Sequence, residues 1–506
     1  MIINRLVSLA VVIAGGLTSL EAAVTLASPF TDHAVLQRGI EIPVWGSAEA
    51  GEKVTITFDG QNQSVTTGAD GRWQVKLASH QAGGPYDLKV AGTNTITLTD
   101  VLVGEVWICS GQSNMEWTVK KSRDADQEIA AANFPKLRHF AVTKKAADQP
   151  LASCGGTWTV CSPQTVGSYT AVGYFFGRKL AQELDVPIGL IHTSWGGTPA
   201  ESWTSKPALI STAPFTEAIS AWEKHLENMP IEIEKHKKAL EKWSEDVAAA
   251  KAAGKPAPKK PAAPDGKASA FNTPASLYNG MINPLVPYGI KGAIWYQGEA
   301  NVGRAKDYHA LLSLMIGDWR QSFGQGDFSF YIVQLANHME RKPQPTDSGW
   351  AALREAQYLT TTTVKNTGLA LAIDIGEAND IHPKNKQDVG LRLALNALAK
   401  DYGRKIEYSG PVYKSMKIDG SNIVLSFDHL GGGLVVVGDT LTGFAIAGAD
   451  KKFVWADAKI VGKTVVISAA SVTAPVAVRY AWGDNPACSL SNKANLPAIP
   501  FRAAAP

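Results

Sequence analysis

The chain has 506 residues, 45% hydrophobic and 19% charged, which fits about three domains with substantial cores and excludes wholesale disorder. Its 49 basic and 46 acidic residues leave a net charge of +3, so no basic surface marks a nucleic-acid partner. Four cysteines are too few to form a disulfide scaffold at this length.

The first 23 residues read as a secretory signal. Arg5 supplies the positive start, Leu6 to Leu17 the apolar run, and Ala22 or Ala23 the small residue for cleavage. That run is too short to span a bilayer, and no later stretch approaches the roughly 20 apolar residues required. No cysteine lies near the cleavage point, so a lipid anchor there is excluded. The expectation is a secreted or periplasmic protein with no membrane partner after signal removal.

Residues 24–100 form an expected all-β domain. Val54–Phe58, Trp73–Leu77 and Thr95–Leu98 alternate apolar with polar side chains, and Asp59-Gly60 and Asp70-Gly71 are hairpin-type turns. Residues 101–403 then alternate strands with helices. Strands are predicted at Glu105–Cys109, Ile188–Thr193, Gly292–Tyr296, Ser329–Leu335 and Gly368–Ile373. Helices are predicted at Ala171–Leu184, Ala305–Phe323, Ala351–Val364 and Lys384–Lys400. This alternation predicts an α/β fold, a parallel sheet covered by helices on both faces. Cys109 falls within an apolar strand and is expected as a buried thiol. Cys154 and Cys161 flank a short Gly-containing loop, and an oxidising compartment would allow them to pair.

Residues 216–268 read as an insertion in this block. Ile219, Trp222, Leu226, Ile233, Leu240, Trp243 and Val247 recur at helical spacing among Glu and Lys, followed by a Lys/Ala/Pro linker from Gly254 to Gly266. A solvated helical hairpin with a loop is the expectation. Residues 404–506 return to β patterning, as at Asn422–Phe427 and Thr464–Ser468, and are expected to form a second β-sandwich-like flanking domain.

In an open parallel sheet, ligands bind beyond the carboxyl ends of the strands. Ser110-Gly111-Gln112-Ser113-Asn114 follows the first predicted strand, and Ser194-Trp195-Gly196-Gly197-Thr198 the second. The third runs into Gln297-Gly298-Glu299-Ala300-Asn301, and the fifth into Asp374 and then Asn379-Asp380-Ile381-His382. Together they can assemble an acyl-transfer site, because a serine hydroxyl attacks only when an imidazole removes its proton and a carboxylate orients that imidazole. Ser113 is the candidate nucleophile, His382 the base and then acid, and Asp380 the orienting carboxylate. The backbone N–H groups of Ser113, Gly196 and Gly197 and the amide of Gln297 are candidate oxyanion donors. Trp117, Trp195, Trp203 and Trp295 lie near these segments; core positions are expected for most, with Trp195 at the rim as a substrate candidate beside Arg304 and Glu299, the last with bracing of its loop as the alternative role. The ten histidines form no HExxH or Cys/His cluster, so no metal site is expected.

Four segments carry a family resemblance: VWICSGQSNMEW around Ser113, IHTSWGGTPAESW from Ile191, IWYQGEAN around Gln297 and NDIHPKNKQDVG around His382. With them the chain resembles the SGNH (GDSL-like) hydrolases, and among these the sialate O-acetylesterase family with its acetylxylan esterase relatives. The resemblance implies a flavodoxin-like parallel sheet and hydrolysis of acetyl esters on an O-acetylated carbohydrate, without a metal or organic cofactor. It departs from the usual pattern twice. The residue three before the histidine is Asn379 rather than Asp, which leaves Asp380 with Glu377 and Asp374 as alternatives. The third-block Asn is represented by Gln297. An α/β-hydrolase elbow is disfavoured, since G-x-S-x-G needs glycine where Met115 stands. A noncatalytic carbohydrate-binding protein would not need both Ser113 and His382.

Overall fold

The computed structural model describes residues 23–261 and 270–505, so the expected signal lies outside the described residues except for Ala23. In the N-terminal β region, Lys53–Phe58 buries Val54, Ile56 and Phe58 on one face, as its alternation predicts. The chain reverses at Asp59-Gly60, both at positive φ (41° and 79°), and pairs back along Gln61–Thr66. Arg72–Leu77 pairs with Ile42–Ser47 in a second sheet.

The strands predicted at Thr95–Leu98 and Glu105–Cys109 are one continuous 17-residue strand, β1 (Thr95–Gly111). Its first part pairs with Gly83–Ala91 in the N-terminal region, and its last part enters the central parallel sheet. A shared strand, rather than a linker, therefore joins the two regions.

The central sheet also contains β2 (Phe134–Ala141), β3 (Trp158–Cys161), β4 (Ile188–Ser194), β5 (Gly292–Tyr296), β6 (Ser329–Val333) and β7 (Thr367–Ala370). Its order is β3-β2-β4-β1-β5-β6-β7, with only β3 antiparallel to its neighbour. The helices that frame the sheet and the site are α1 (Ser113–Glu116), α2 (Ala171–Leu184), α3 (Ala213–Ala252), α4 (Ala305–Phe323), α5 (Gly349–Thr363) and α6 (Lys386–Lys400). Successive strand residues point to opposite faces. Trp107, Cys109, Ile294 and Tyr296 pack with residues of α2 and α6. Val106, Ile108, Ala293 and Trp295 pack with residues of α4 and α5 on the other face. With both faces covered, all five residues of β5 are buried, which is why it reads as an unbroken apolar run.

Strands β2 and β3 are not among the strands predicted from sequence pattern. The β2 sequence is broken by Pro135, Lys136, Arg138 and His139, and the buried Arg138 is stabilised by Asp100, 2.7 Å away. The expected helical hairpin is also corrected: α3 is a single helix of 40 residues. Pro230 lies inside the helix without ending it, and the helix stops at Ala252, just before Gly254 and the proline-rich segment. That segment instead folds back irregularly, with Trp243 Nε1 donating to Pro258 O at 2.8 Å. All four cysteines are free, Cys154 and Cys161 included.

The C-terminal region contains two four-stranded sheets and a two-stranded ribbon, with Asn422–Asp428 and Thr464–Ser468 paired in the first sheet. Arg354 of α5 fastens this region to the central one. Fully buried, it donates to Leu335 O, Ala336 O, Gly483 O and Asp484 O at 2.7–3.0 Å.

Candidate active site

Strands β4, β1 and β5 are neighbours, so the three loops beyond their carboxyl ends meet at one rim. Backbone bonds join them there: Gln112 N donates to Tyr296 O at 2.9 Å, and Trp195 N to Gly111 O at 3.1 Å. Gly111 adopts φ 137°, and a Cβ on it would fall 2.1 Å from Tyr296 O. Only glycine lets β1 turn away this close to β5. Ser113 follows and opens α1.

His382 takes a longer route. Strand β7 lies three positions from β1, roughly 14 Å at normal sheet spacing, so the chain must return through a long loop at 371–385. Gly376 N donates to Asn337 Oδ1 at 2.7 Å and Met339 N to Ala378 O at 3.0 Å, while Asn337 itself is bonded to Asn485 of the C-terminal region at 2.8 Å. Asp380 Oδ1 accepts the His382 backbone N–H at 2.9 Å, a local turn that fixes the approach of the ring. Asn385 caps α6, accepting from Asp388 N, so the cap that Asp380 could have supplied is already filled.

These two routes bring Ser113 Oγ within 2.8 Å of His382 Nε2, across 269 positions of sequence. On the other side of the ring, Nδ1 lies 3.4 Å from Asp380 Oδ1. Of the alternatives, Asp374 is paired with Arg392 at 2.6 and 2.7 Å, and Glu377 accepts the Lys384 backbone N–H at 3.1 Å. Trp117 stacks on the imidazole, with centroids 5.2 Å apart and planes at 15°. Burial holds the His382 pKa below its ordinary 6.5; the Asp380 charge opposes that shift, and Lys386 and Lys121 reinforce it.

The four expected oxyanion donors separate into two groups. Gly196 N donates to Glu116 Oε2 at 2.7 Å, so this N–H is already engaged; Glu116 also binds Lys144 at 2.6 Å. Gln297 is fully buried and faces away from the rim. Its Nε2 donates to Thr198 O (3.1 Å) and Asn301 Oδ1 (2.7 Å), and its Oε1 accepts from Tyr308 at 2.7 Å. With its hydrogens spent, Gln297 braces the loop and corrects the expectation of an oxyanion donor. The N–H groups of Ser113 and Gly197 have no acceptor among the described residues, and Gly197 is exposed.

Glu299 is also a brace: Oε1 accepts from Asn114 Nδ2 at 2.7 Å, and Oε2 is buried without a hydrogen-bond partner among the described residues. Of the two roles expected for Glu299, substrate contact or loop brace, its bond to Asn114 fits the brace. Arg304 donates to Glu201 at 2.6 Å, yet its half-exposed guanidinium lines a cleft of about 620 Å³ with Gly197, Glu201, Phe215 and Ile219. Trp195 is half-buried and stacked on Phe271 at 5.0 Å. Trp203 and Trp295 are core residues.

The sequence reading did not single out Glu116, or Lys386, which bonds Asn114. A signal for Lys386 was present: it stands in helical register with Val389, Leu393 and Ala397, a lysine on the apolar face of α6. Among the described residues, no group of three or more His, Cys, Asp or Glu is arranged to hold a metal ion. Among the same residues, no helix is long and apolar enough to cross a membrane.

The model of the carbohydrate esterase, sialic acid-specific acetylesterase family matches residues 103–237 and 261–399, more than half of the chain. Sialate O-acetylesterase from Rattus norvegicus is 31% identical over 508 residues, covering 91% of this chain and 90% of that protein. The human protein of the same name is 30% identical, covering 90% and 88%. A crystal structure of a carbohydrate acetylesterase from Xanthomonas citri superposes with a TM-score of 0.81 at 39% identity, covering 95% of this chain and 99% of that one.

Proposed function

The chain belongs to the sialic acid-specific acetylesterase family of carbohydrate esterases and is a carbohydrate O-acetylesterase, and we propose that it deacetylates sialic acids through an acyl-enzyme on Ser113. The observation that carries this reading is the 2.8 Å contact between Ser113 Oγ and His382 Nε2. The order β4-β1-β5-β6-β7 supports an SGNH-type, flavodoxin-like sheet.

His382 takes the Ser113 proton as Oγ attacks the acetyl carbonyl, and Asp380 holds the imidazole and balances its transient charge. The Ser113 and Gly197 N–H groups receive the oxyanion; each such donor is worth about 3–4 kcal/mol of barrier. When the carbonyl re-forms, the C–O bond to the sugar breaks and His382 returns the proton to the sugar oxygen. Water, activated by the same imidazole, then releases acetate and restores the serine. The sugar occupies the cleft beside Gly197, where Arg304 can meet a sugar carboxylate. Export, read from residues 1–23, brings the enzyme to glycans outside the cytoplasm.

Acetate release from 9-O-acetylated sialic acid and from acetylated xylan tests the substrate directly. Higher kcat/KM on the sialic acid is expected; preference for xylan overturns the sialate assignment. The imidazole must be neutral to act as base, and burial lowers its pKa, so it stays neutral further into acid than an ordinary histidine. The acid limb of the kcat/KM profile should therefore fall below pH 6.5, the ordinary imidazole value. A limb above that value contradicts the assignment of the buried His382 as base.

A further inference from the structure

A polar cluster lies under the Ser113–His382 pair, and none of its members touches the reacting atoms. Lys386 Nζ, almost completely buried, donates to Asn114 Oδ1 at 2.6 Å and sits 5.7 Å from the Trp117 ring centroid and 5.5 Å from that of Tyr296. Asn114 Nδ2 donates to Glu299 Oε1 at 2.7 Å and to Ile381 O at 3.0 Å. Asn114 follows the serine and Ile381 precedes the histidine, so this one amide ties the two halves of the pair together. An asparagine amide can rotate end for end, which would offer its oxygen to two acceptors. A cationic donor on its oxygen prevents that.

We propose that Lys386 is a positioning residue for the Ser113–His382 pair: it fixes the Asn114 amide that binds the serine turn to the histidine loop, and places a positive charge near the imidazole. The charged groups acting on Lys386 are Glu299, Asp380 and Glu377; those acting on His382 are Asp380, Lys386 and Lys121. Burial pushes the Lys386 pKa down to about 7, against the pull of those three carboxylates. The lysine therefore becomes cationic over the range in which an ordinary imidazole takes up its proton, and that charge opposes protonation of the base. Burial raises the Glu299 pKa, and Asn114 and Lys386 counter that shift.

The inference rests on Ser113 and His382 as the reacting pair. It is tested with Lys386→Met in the full chain, with acetate release followed across pH. Loss of the donor should lower kcat by about 10–100-fold with little change in KM, since the reacting groups and not the sugar cleft are misplaced. Loss of the charge should move the acid limb to higher pH, because a nearby cation no longer opposes the imidazolium. A folded Lys386→Met protein with parental kcat and an unmoved limb overturns the proposal. If the single variant does not fold, Glu299→Gln with Lys386→Met leaves no buried charge alone and is read in the same two ways. Failure of both to fold also overturns it, by making the cluster a support of the fold rather than of the site. Activity surviving in Ser113→Ala would instead remove the reading beneath it. An inactive Ser113→Ala beside an unimpaired Lys386→Met removes this inference alone.

Discussion

Ser113→Ala should lower kcat for acetate release by roughly 10⁴–10⁶-fold, with KM and melting temperature close to the parent. The loss is large because serine and imidazole act as one unit: His382 has no proton to take once Oγ is gone. The melting temperature should hardly move, because the deleted hydroxyl faces a histidine whose side chain is 27% exposed and can be solvated. Steady-state kinetics and thermal unfolding on the same preparation check both halves. Turnover within tenfold of the parent would remove Ser113 from the mechanism.

Asp380→Asn should cost about 10²–10⁴-fold in kcat, whereas Asp374→Asn should act on thermal stability. Asparagine can still accept the His382 backbone N–H, so the turn is retained while the charge beside Nδ1 disappears. The resting contact of 3.4 Å is long for a charge-assisted bond, and such contacts commonly tighten only once substrate is bound. Asp380 also raises the imidazole pKa, so its loss should carry the acid limb lower even as the rate falls. Asp374 is held in a two-pronged pair with Arg392, and its neutralisation loosens the base of the loop and α6. The reverse pattern, with Asp374→Asn inactive and Asp380→Asn active, would reassign the orienting carboxylate.

The parts of the site legible in the sequence were those fixed by topology. Ser113 follows an apolar strand and His382 a later one, and the rule that ligands gather at strand carboxyl ends was enough to bring them together. The edges of β5, α2 and α4 were equally legible, because period-two and period-3.6 burial leave different patterns. Side-chain direction within a loop was not legible. Gly196 and Gly197 look alike in sequence, yet one N–H binds Glu116 and the other is open, because the position of Glu116 is a tertiary fact. Gln297 looked like a donor at the rim, but it turns inward to Tyr308 on α4, and nothing local announces that partner. Strand β2 was hidden because a buried arginine paired across to Asp100 mimics a surface pattern. The insertion misled for a different reason. Charge and periodicity gave its helical character, but Pro230, the one interior residue that could have marked a turn between two helices, lies inside one continuous helix.

The central claim is that Ser113 carries the acetyl group during turnover. Labelling the native enzyme with a fluorophosphonate, followed by peptide mass spectrometry, tests it most directly. A single adduct is expected on the peptide containing Ser113, absent in Ser113→Ala and formed far more slowly in His382→Ala. An adduct on another residue that abolishes activity, or full turnover in enzyme labelled at Ser113, would contradict it.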